Sequence, residues 1–409
     1  MLLFKWRHYL GLNRITAEKI FIITYITYAA YYLARLSLSV ALLEIGEDLG
    51  CSKFELGVIG GAFSTLYALG QFINGQLADS FGPKRIISFG LAMSAIISSF
   101  FGYSKTFVVL VLLWGINGYF QSTGWPSAVK IIRNWFGEKR IGLVGGIFGS
   151  CFLVGNMISW IVLGYVVSIY GWRFAFIIPM PLLVSLAALF HVVISDAPQE
   201  QRENGTNHLQ KIAGSLKKIM FSRKILAVAG AYVLLQFVRS GFTLWAPSYV
   251  IENYGLSPDL AGYAVAVIPI GGIIGSVVTG WLSEHLNSKG IVGRTKSMVL
   301  LIFCLILVLA AMHFMIDYGI YICLILLFLG GLTLYGPHIT MATIVPMDFE
   351  KEYGTAGVAG VIDGLGYLGL TLADPFIGWI VDTYSWNGAI CFWLFSSILS
   401  TLLLCKIVC

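Results

Sequence analysis

The sequence predicts an all-α membrane protein, with twelve transmembrane helices in two pseudo-symmetric six-helix bundles. Three observations carry that expectation. Of the 409 residues, 58% are hydrophobic and 11% charged, where a soluble domain carries about 25% charged residues; lipid must therefore solvate most of the surface. Apolar runs reaching the roughly 20 residues of a membrane helix recur along the whole chain. Short motifs also return at a nearly constant offset.

The apolar runs fall at about 20–43, 55–78, 86–103, 106–130, 141–167, 174–194, 225–250, 260–283, 297–316, 319–345, 355–381 and 387–405, each read from its hydropathy. The longest polar stretch, from Ser195 to Lys224, reads SDAPQEQRENGTN before a basic segment and parts six runs from six. The chain thus divides into an N-terminal bundle over 1–194, a cytoplasmic linker over 195–224 and a C-terminal bundle over 225–409. The first residues, MLLFKWRHYLGLNR, lack an apolar core followed by a small-residue cleavage site, so they read as a retained tail rather than a signal peptide. Counting loops alternately from a cytoplasmic N-terminus puts 21 of the 26 lysines and arginines on the cytoplasmic side, three outside (Lys53, Lys105, Arg173) and two within spans. The positive-inside rule then places both termini in the cytoplasm of a multi-pass cell-membrane protein. The acidic loop MDFEKEYG after the tenth run is an exception, and acidic residues weigh little in that rule.

The halves repeat. Arg35 and Arg239 stand 204 residues apart, and Gly75 and Gly280, each ending the second span of its half, stand 205 apart. GYVVSIYGW from Gly164 returns as GWIVDTYSW from Gly378, 214 residues on. Parallel repeats of this kind place a binding site near the bilayer midplane, between the halves.

Several function classes are excluded by what the chain lacks. The net charge of +6 is scattered through loops rather than gathered in a patch, which argues against a nucleic-acid partner. Seven cysteines show neither C-x-x-C nor a paired spacing with histidine, so no metal site or disulfide framework is expected. No clustered His/Asp/Ser set and no phosphate-cradling glycine loop marks a catalytic centre, so neither an enzyme nor a cofactor is expected.

Against this background the few charges inside spans stand out. Arg35 lies in the middle of YITYAAYYLARLSLSVALL, where a guanidinium costs at least about 2.5–3.5 kcal/mol on insertion scales and must face a polar interior. Tyr28, Tyr32, Arg35 and Ser39 share one helical face, at i, i+4, i+7 and i+11. Arg239, in AYVLLQFVRSGFTLWAPSYV, shares a face with Tyr232, Gln236 and Thr243. Two arginines at equivalent places in two halves can converge on one anion, and the planar guanidinium suits bidentate contact with phosphate or carboxylate. Alternatively, each is neutralised by an internal acid, Asp363 or Asp374. Asp363, Tyr367 and Asp374 share a face of the eleventh span; Asp363 can pair with an arginine, carry a proton or bond a neighbouring helix, whereas Asp374, followed by Pro375, reads as structural. His338 of LYGPHIT either lines a cavity or is a buried neutral imidazole. Asn117, Gln121 and Asn156 can orient a ligand hydroxyl or bridge helices.

Gly75-x-Leu77-Ala78-Asp79-x-x-Gly82-x-Lys84-Arg85 resembles the loop signature of the major facilitator superfamily, with Ser80 and Pro83 where basic residues are more usual. That resemblance implies a conformational, gating role for Gly75, Asp79, Gly82, Lys84 and Arg85. Gly118-x-x-Gln121-x-x-Gly124-Trp125-Pro126 precedes KIIRNWFGEKRIG. Together with AAYYLAR, RSGFTLWAPSYV, YGP at Tyr335 to Pro337 and GLGYLG at Gly364 to Gly369, it resembles the organophosphate:phosphate antiporter family of bacterial glycerol-3-phosphate and hexose-6-phosphate transporters. This second resemblance implies that Arg35 and Arg239 bind a substrate phosphate and that Tyr28, Tyr32, Tyr67 and Tyr367 line the site. Gln71, Gln121, Gln236, Tyr335, His338 and Asp363 complete the candidate binding set. Gln71 stands where the glycerol-phosphate branch has a lysine, and Phe152 near where it has a histidine, so fewer positive groups line the site. Ile362-Asp363-Gly364 looks more like the sugar-phosphate exchangers.

The function expected is a secondary active transporter, monomeric in the lipid bilayer, that exchanges a small phosphorylated organic anion for inorganic phosphate by alternating access. Two rivals stand beside it: a proton-coupled symporter of organic anions or solutes that uses Asp363, and a transporter-like membrane sensor of sugar phosphate.

Overall fold

A computed structural model describes residues 16–194, 219, 221–285, 291–315, 318–349 and 355–408. The N-terminal tail, most of the expected linker, Lys289 and Lys351 lie outside the described residues. Every regular element among those described is helical.

Ten of these helices are long and apolar enough to cross a membrane. The last, Val358–Ile407, comprises two passes, because its chain turns at Ser385, whose φ of 62° is left-handed. Lys53–Phe81 adds another, its 29 residues spanning about 43 Å at 1.5 Å per residue. The twelve are α1 (Ala17–Leu49), α2 (Lys53–Phe81), α3 (Pro83–Tyr103), α4 (Phe107–Phe136), α5 (Ile147–Tyr170), α6 (Trp172–Val193), α7 (Arg223–Tyr254), α8 (Pro258–Ser283), α9 (Ile291–Met315), α10 (Ile320–Ile344), α11 (358–384) and α12 (386–407). Phe100, Leu112, Leu182, Phe303, Leu307 and Leu402 are each more than half exposed, while Asn117, Gln121, Asn156 and Gln236 are fully buried. Apolar side chains outside and amides inside are what lipid as solvent demands.

Alternating passes give the molecule two ends, one carrying Lys53 and the other Asp79. Ser52 starts α2 at the Lys53 end with a capping box, its hydroxyl accepting the Glu55 N–H while the Glu55 carboxylate accepts the Ser52 N–H at 2.8 Å. At the Asp79 end Gly82, with φ 91°, turns the chain from α2 into α3. Pro83 takes the first helical position, where a missing N–H breaks no bond. Three spans leave α geometry near residues singled out in the sequence. Tyr31–Ala34 winds as a 3₁₀ turn just before Arg35, and Gly241–Trp245 and Thr340–Ile344 wind as π turns just after Arg239 and His338. Irregular turns of this kind are frequent at functional sites.

The first six spans meet the last six backbone to backbone at the Lys53 end. A methyl group added at Gly57 would strike the Asp374 carbonyl and Pro375 of α11, one at Gly61 the Thr371 carbonyl, and one at Gly378 the Lys53 carbonyl. Gly164 of α5 and Gly262 of α8 face each other in the same way. Small residues are what permit such approach. Polar bonds fasten the rim: Lys53 Nζ lies 3.1 Å from Glu252 Oε1, and Trp386 Nε1 donates to Glu252 Oε2 at 2.7 Å. Asp382 accepts the N–H groups of Lys53 and Phe54 at 3.3 and 3.0 Å, a carboxylate placed on the positive N-terminus of α2.

The Asp79 end is different. Methyl groups at Gly75, Gly149, Gly280 and Gly360 would meet none of the described residues within 4 Å. Two ties found here stay within one half. Lys130 donates to the Ala78 carbonyl at 3.3 Å, and Arg294 meets both Asp348, at 3.1 Å, and the Ile344 carbonyl. Burial raises the pKa of the Asp348 carboxyl, against the opposite pull of Arg294.

Candidate functional site

Arg35 follows the 3₁₀ turn of α1, and its Nη1 donates to Tyr32 Oη at 3.2 Å. Its guanidinium carbon lies 4.8, 5.4 and 4.6 Å from the ring centroids of Tyr32, Phe63 and Tyr67. Cation–π attraction to those faces offsets part of the cost of holding the charge among apolar helices. Arg239 is 7% exposed, and its Nη1 donates to Gln236 Oε1 at 3.2 Å. Among the described residues neither guanidinium has a carboxylate within 4.0 Å. The Nε of each is buried without a hydrogen-bond partner. Both arginines, with Ser39, Ser64, Ser240, Thr243, Tyr367 and Asp374, line one cavity between the halves.

Of the candidate binding set drawn from the sequence, Arg35, Arg239 and Tyr367 line this cavity. Tyr32, Tyr67 and Gln236 stand behind the arginines. Tyr67 also stacks on Tyr367 across the halves, with centroids 4.2 Å apart, and Tyr335 Oη reaches Thr243 Oγ1 at 3.4 Å. One helical turn nearer the Asp79 end runs a string of polar groups. His338 Nε2 and Tyr232 Oη are 3.0 Å apart, Tyr232 donates to Asp363 Oδ1 at 3.3 Å, and Gln71 Nε2 donates to Asp363 Oδ2 at 3.5 Å. Gln71 comes from α2 and the other three from the second half, so the string crosses the same divide as the tyrosine pair.

Gln121 and Tyr28 do not line the cavity, although the Tyr28 ring packs on that of Tyr32, with centroids 6.1 Å apart. Gln121 Nε2 donates to the Tyr31 carbonyl at 3.1 Å and to Ser94 Oγ at 2.8 Å, and Asn117 Nδ2 donates to the Ala34 carbonyl at 2.9 Å. Both amides brace α1 against α3 and α4. Tyr28 packs on Trp125, with ring centroids 5.2 Å apart. The reason lies in the 3₁₀ turn: four residues advancing by about 120° instead of 100° swing the preceding part of α1 by roughly 80° relative to Arg35. A face drawn at constant helical spacing therefore does not continue across Tyr31–Ala34.

Asp374, read from the sequence as structural, is on the cavity wall, 5% exposed, with the Ser240 hydroxyl donating to its Oδ1. Gly60 and Ser64 also line the cavity unforeseen. A signal for them was present, because Gly60, Ser64, Tyr67 and Gln71 share one face of α2 at i, i+4, i+7 and i+11. Of the loop signature, Gly82 makes the turn, Gly75 has no described residue within 4 Å of a Cβ added there, and Lys84 and Arg85 begin α3. The Asp79 side chain lies outside the described residues.

A twelve-pass helical chain with a cavity between its halves, lined by an arginine from each, has the build of a membrane carrier. The sequence profile of the Major Facilitator Superfamily matches residues 24–373, and the chain belongs to that superfamily of multi-pass membrane transporters. A probable hexose phosphate transport protein of Chlamydia pneumoniae is 27% identical over 398 residues, covering 90% of this chain and 86% of that protein. The glycerol-3-phosphate transporter of Bacillus subtilis is 27% identical over 415 residues, covering 94% and 91%. In fold, the chain is similar to the crystal structure of a bacterial homologue of the human lysosomal transporter Spinster, with a TM-score of 0.74 at 14% identity, covering 96% and 95% of the two chains.

Proposed function

We propose that this protein exchanges a phosphorylated organic anion for inorganic phosphate across a cell membrane, by rocking two bundles, residues 1–194 and 225–409, about the central cavity. One observation carries the reading: two guanidiniums, one from each half, line the same cavity with no carboxylate partner among the described residues and with their Nε atoms unbonded. Like charges facing each other in a medium of low dielectric repel and resist closure. A phosphate dianion between them reverses the sign of that interaction and supplies the missing acceptors. A loaded carrier can then close and rock, whereas an empty one is held back, which makes exchange faster than net flux. The hexose phosphate and glycerol-3-phosphate transporters that the chain resembles support a phosphorylated cargo. With the Asp79 end in the cytoplasm, as the basic loops imply, the sealed Lys53 end faces outward.

The string from His338 through Tyr232 and Asp363 to Gln71 favours a second reading, proton-coupled uptake with Asp363 as the carrier of the proton. Proteoliposomes separate the two. Vesicles loaded with phosphate are expected to take up labelled phosphate, and Arg35→Ala or Arg239→Ala to abolish it; wild-type exchange rates in both variants would sink the proposed site. Uptake that needs a pH gradient but no internal phosphate, and is lost in Asp363→Asn, would replace exchange by symport.

A further inference from the structure

We propose that Ser94, Asn117 and Gln121 are positioning residues for Arg35: by holding the 3₁₀ turn that precedes it, they aim its guanidinium into the cavity. The inference rests on the proposed anion site and names what sets the geometry of one of its two arginines.

The turn needs holding. Inside an α-helix the Arg35 N–H would donate to the Tyr31 carbonyl, four residues back. Here it donates to the Tyr32 carbonyl at 3.1 Å, and the Leu36 N–H shares that acceptor at 2.9 Å. Leu36 then lies at φ −90°, ψ −2°, in the sparsely allowed bridge region. Backbone of that kind persists only where its surroundings over-determine it, and the turn itself, YYLA, has no glycine or proline to impose the shape.

The surroundings that do so are three polar side chains on two neighbouring helices. Gln121 Nε2 donates to the Tyr31 carbonyl, the one that the Arg35 N–H has left, and Asn117 Nδ2 donates to the Ala34 carbonyl, so each end of the turn is tied. Asn117 and Gln121 are four residues apart and share a face of α4. Ser94 of α3 joins them, accepting from Gln121 Nε2 at 2.8 Å and donating to Asn117 Oδ1 at 2.6 Å. All three are fully buried. Gln121 even leaves its own Oε1 buried without a hydrogen bond; turned the other way, the amide would set oxygen against oxygen at Tyr31. Bonds whose only task was to join helices could end on any polar group, whereas these end on the two carbonyls that bracket the irregular turn.

The consequence for Arg35 is directional. Winding at about 120° rather than 100° per residue over four residues rotates Arg35 by roughly 80° relative to an unbroken helix. Relaxation of the turn to α geometry therefore carries the guanidinium off the rings of Tyr32, Phe63 and Tyr67. The helix that carries the amides also fixes one of those rings, because a methyl group at Gly118 would strike the Phe63 carbonyl. Arg239 is held differently: its partner Gln236 comes from its own helix, and its π turn follows it rather than precedes it. Loosening the amides should weaken one arginine and spare the other.

The test measures binding of labelled phosphate to the full chain in detergent, alongside phosphate exchange in proteoliposomes. Asn117→Leu and Gln121→Leu keep the bulk of each side chain and remove its donors. Each is expected to weaken phosphate binding at least about threefold, and coupling to one arginine is what separates positioning from general support. Combined with Arg35→Lys, Gln121→Leu is expected to add less than about twofold to the loss that Arg35→Lys causes alone; combined with Arg239→Lys, the two losses are expected to multiply. Wild-type affinity in both leucine variants, or losses that multiply equally with either lysine variant, overturns the inference. Should the leucine variants fail to fold, Ser94→Ala decides: it keeps both donors, frees the amides, and is expected to weaken binding about twofold or more in the same Arg35-dependent way. Unchanged affinity in Ser94→Ala then overturns the inference. Phosphate binding without exchange in the wild type overturns the exchange reading and leaves this test standing; no phosphate binding overturns both.

Discussion

An arginine inside a membrane bundle acts through shape as well as charge. The guanidinium of Arg35 lies over the Tyr32 and Tyr67 rings and presents a rigid fork, whereas a lysine would place a compact, strongly hydrated charge on a flexible stem. Arg35→Lys and Arg239→Lys are therefore expected to leave the protein folded in detergent and to raise the half-saturating phosphate concentration for exchange at least about tenfold, as loss of a bidentate contact does. Wild-type saturation in both lysine variants would show that net charge alone holds the anion. These two residues were legible in the sequence because a charge in an apolar run has few reasons to be there. Asp374 was not, because an acid before proline in a helix has a ready packing explanation, and only the tertiary approach of α2 and α7 turns its side chain into a cavity wall. Gln121 was read from the sequence in two ways, as a ligand contact or as a helix bridge. Its position in span four fits a ligand contact, and only the carbonyl of Tyr31 shows where its hydrogen bonds are made.

At the scale of single elements, apolar runs mark the spans well because each must cover the same bilayer thickness. Departures within a span are harder to read. Tyr31–Ala34 contains no glycine or proline to announce its tighter winding, so the face that includes Tyr28 was drawn as though α1 were uniform. The turn between α11 and α12 is similar. Ser385 sits at φ 62°, ψ −176°, a region essentially reserved for glycine. Holding a non-glycine residue there costs about 1–3 kcal/mol, more than the roughly 0.5–1 kcal/mol that glycine loses through unfolded-state freedom. Ser385→Gly is expected to raise the thermal unfolding midpoint in detergent, and Ser385→Val, with a branched Cβ, to lower it. A Ser385→Gly variant that melts no later than wild type would show that the turn carries no strain.

Over the whole molecule the two ends are held by different means. Glycine contacts seal the Lys53 end, and a rim of Lys53, Glu252, Trp386 and Asp382 fastens it. Asp382→Asn weakens the carboxylate's hold on the α2 N-terminus, an interaction of about 0.3–1 kcal/mol when exposed. The population should move several-fold at most toward an open Lys53 end. Labelling by a membrane-impermeant thiol reagent at Ser64→Cys, in a chain with its own cysteines replaced, is the measurement, and the added Asp382→Asn is expected to speed it from that side. Equal labelling with and without Asp382→Asn would leave the rim without a gating role. The repeat at Gly164 and Gly378 was visible in the sequence as a recurring motif, but its use was not: both glycines belong to the seam between halves, and partners far apart in the chain, Gly164 with Gly262 and Gly378 with Lys53, become neighbours only in three dimensions.

The lack of described neighbours beside Gly75, Gly149, Gly280 and Gly360 has a consequence of its own. In the present conformation no described residue would obstruct a methyl group at any of the four, so no described contact explains why they are bare. If the bundles rock as proposed, the Asp79 end must close as the Lys53 end parts, and these positions become the counterparts of Gly57, Gly61, Gly262 and Gly378. A single resting shape then carries the imprint of the opposite one, and a bulky side chain at Gly75 or Gly280 would act as a doorstop, harmless here and obstructive there.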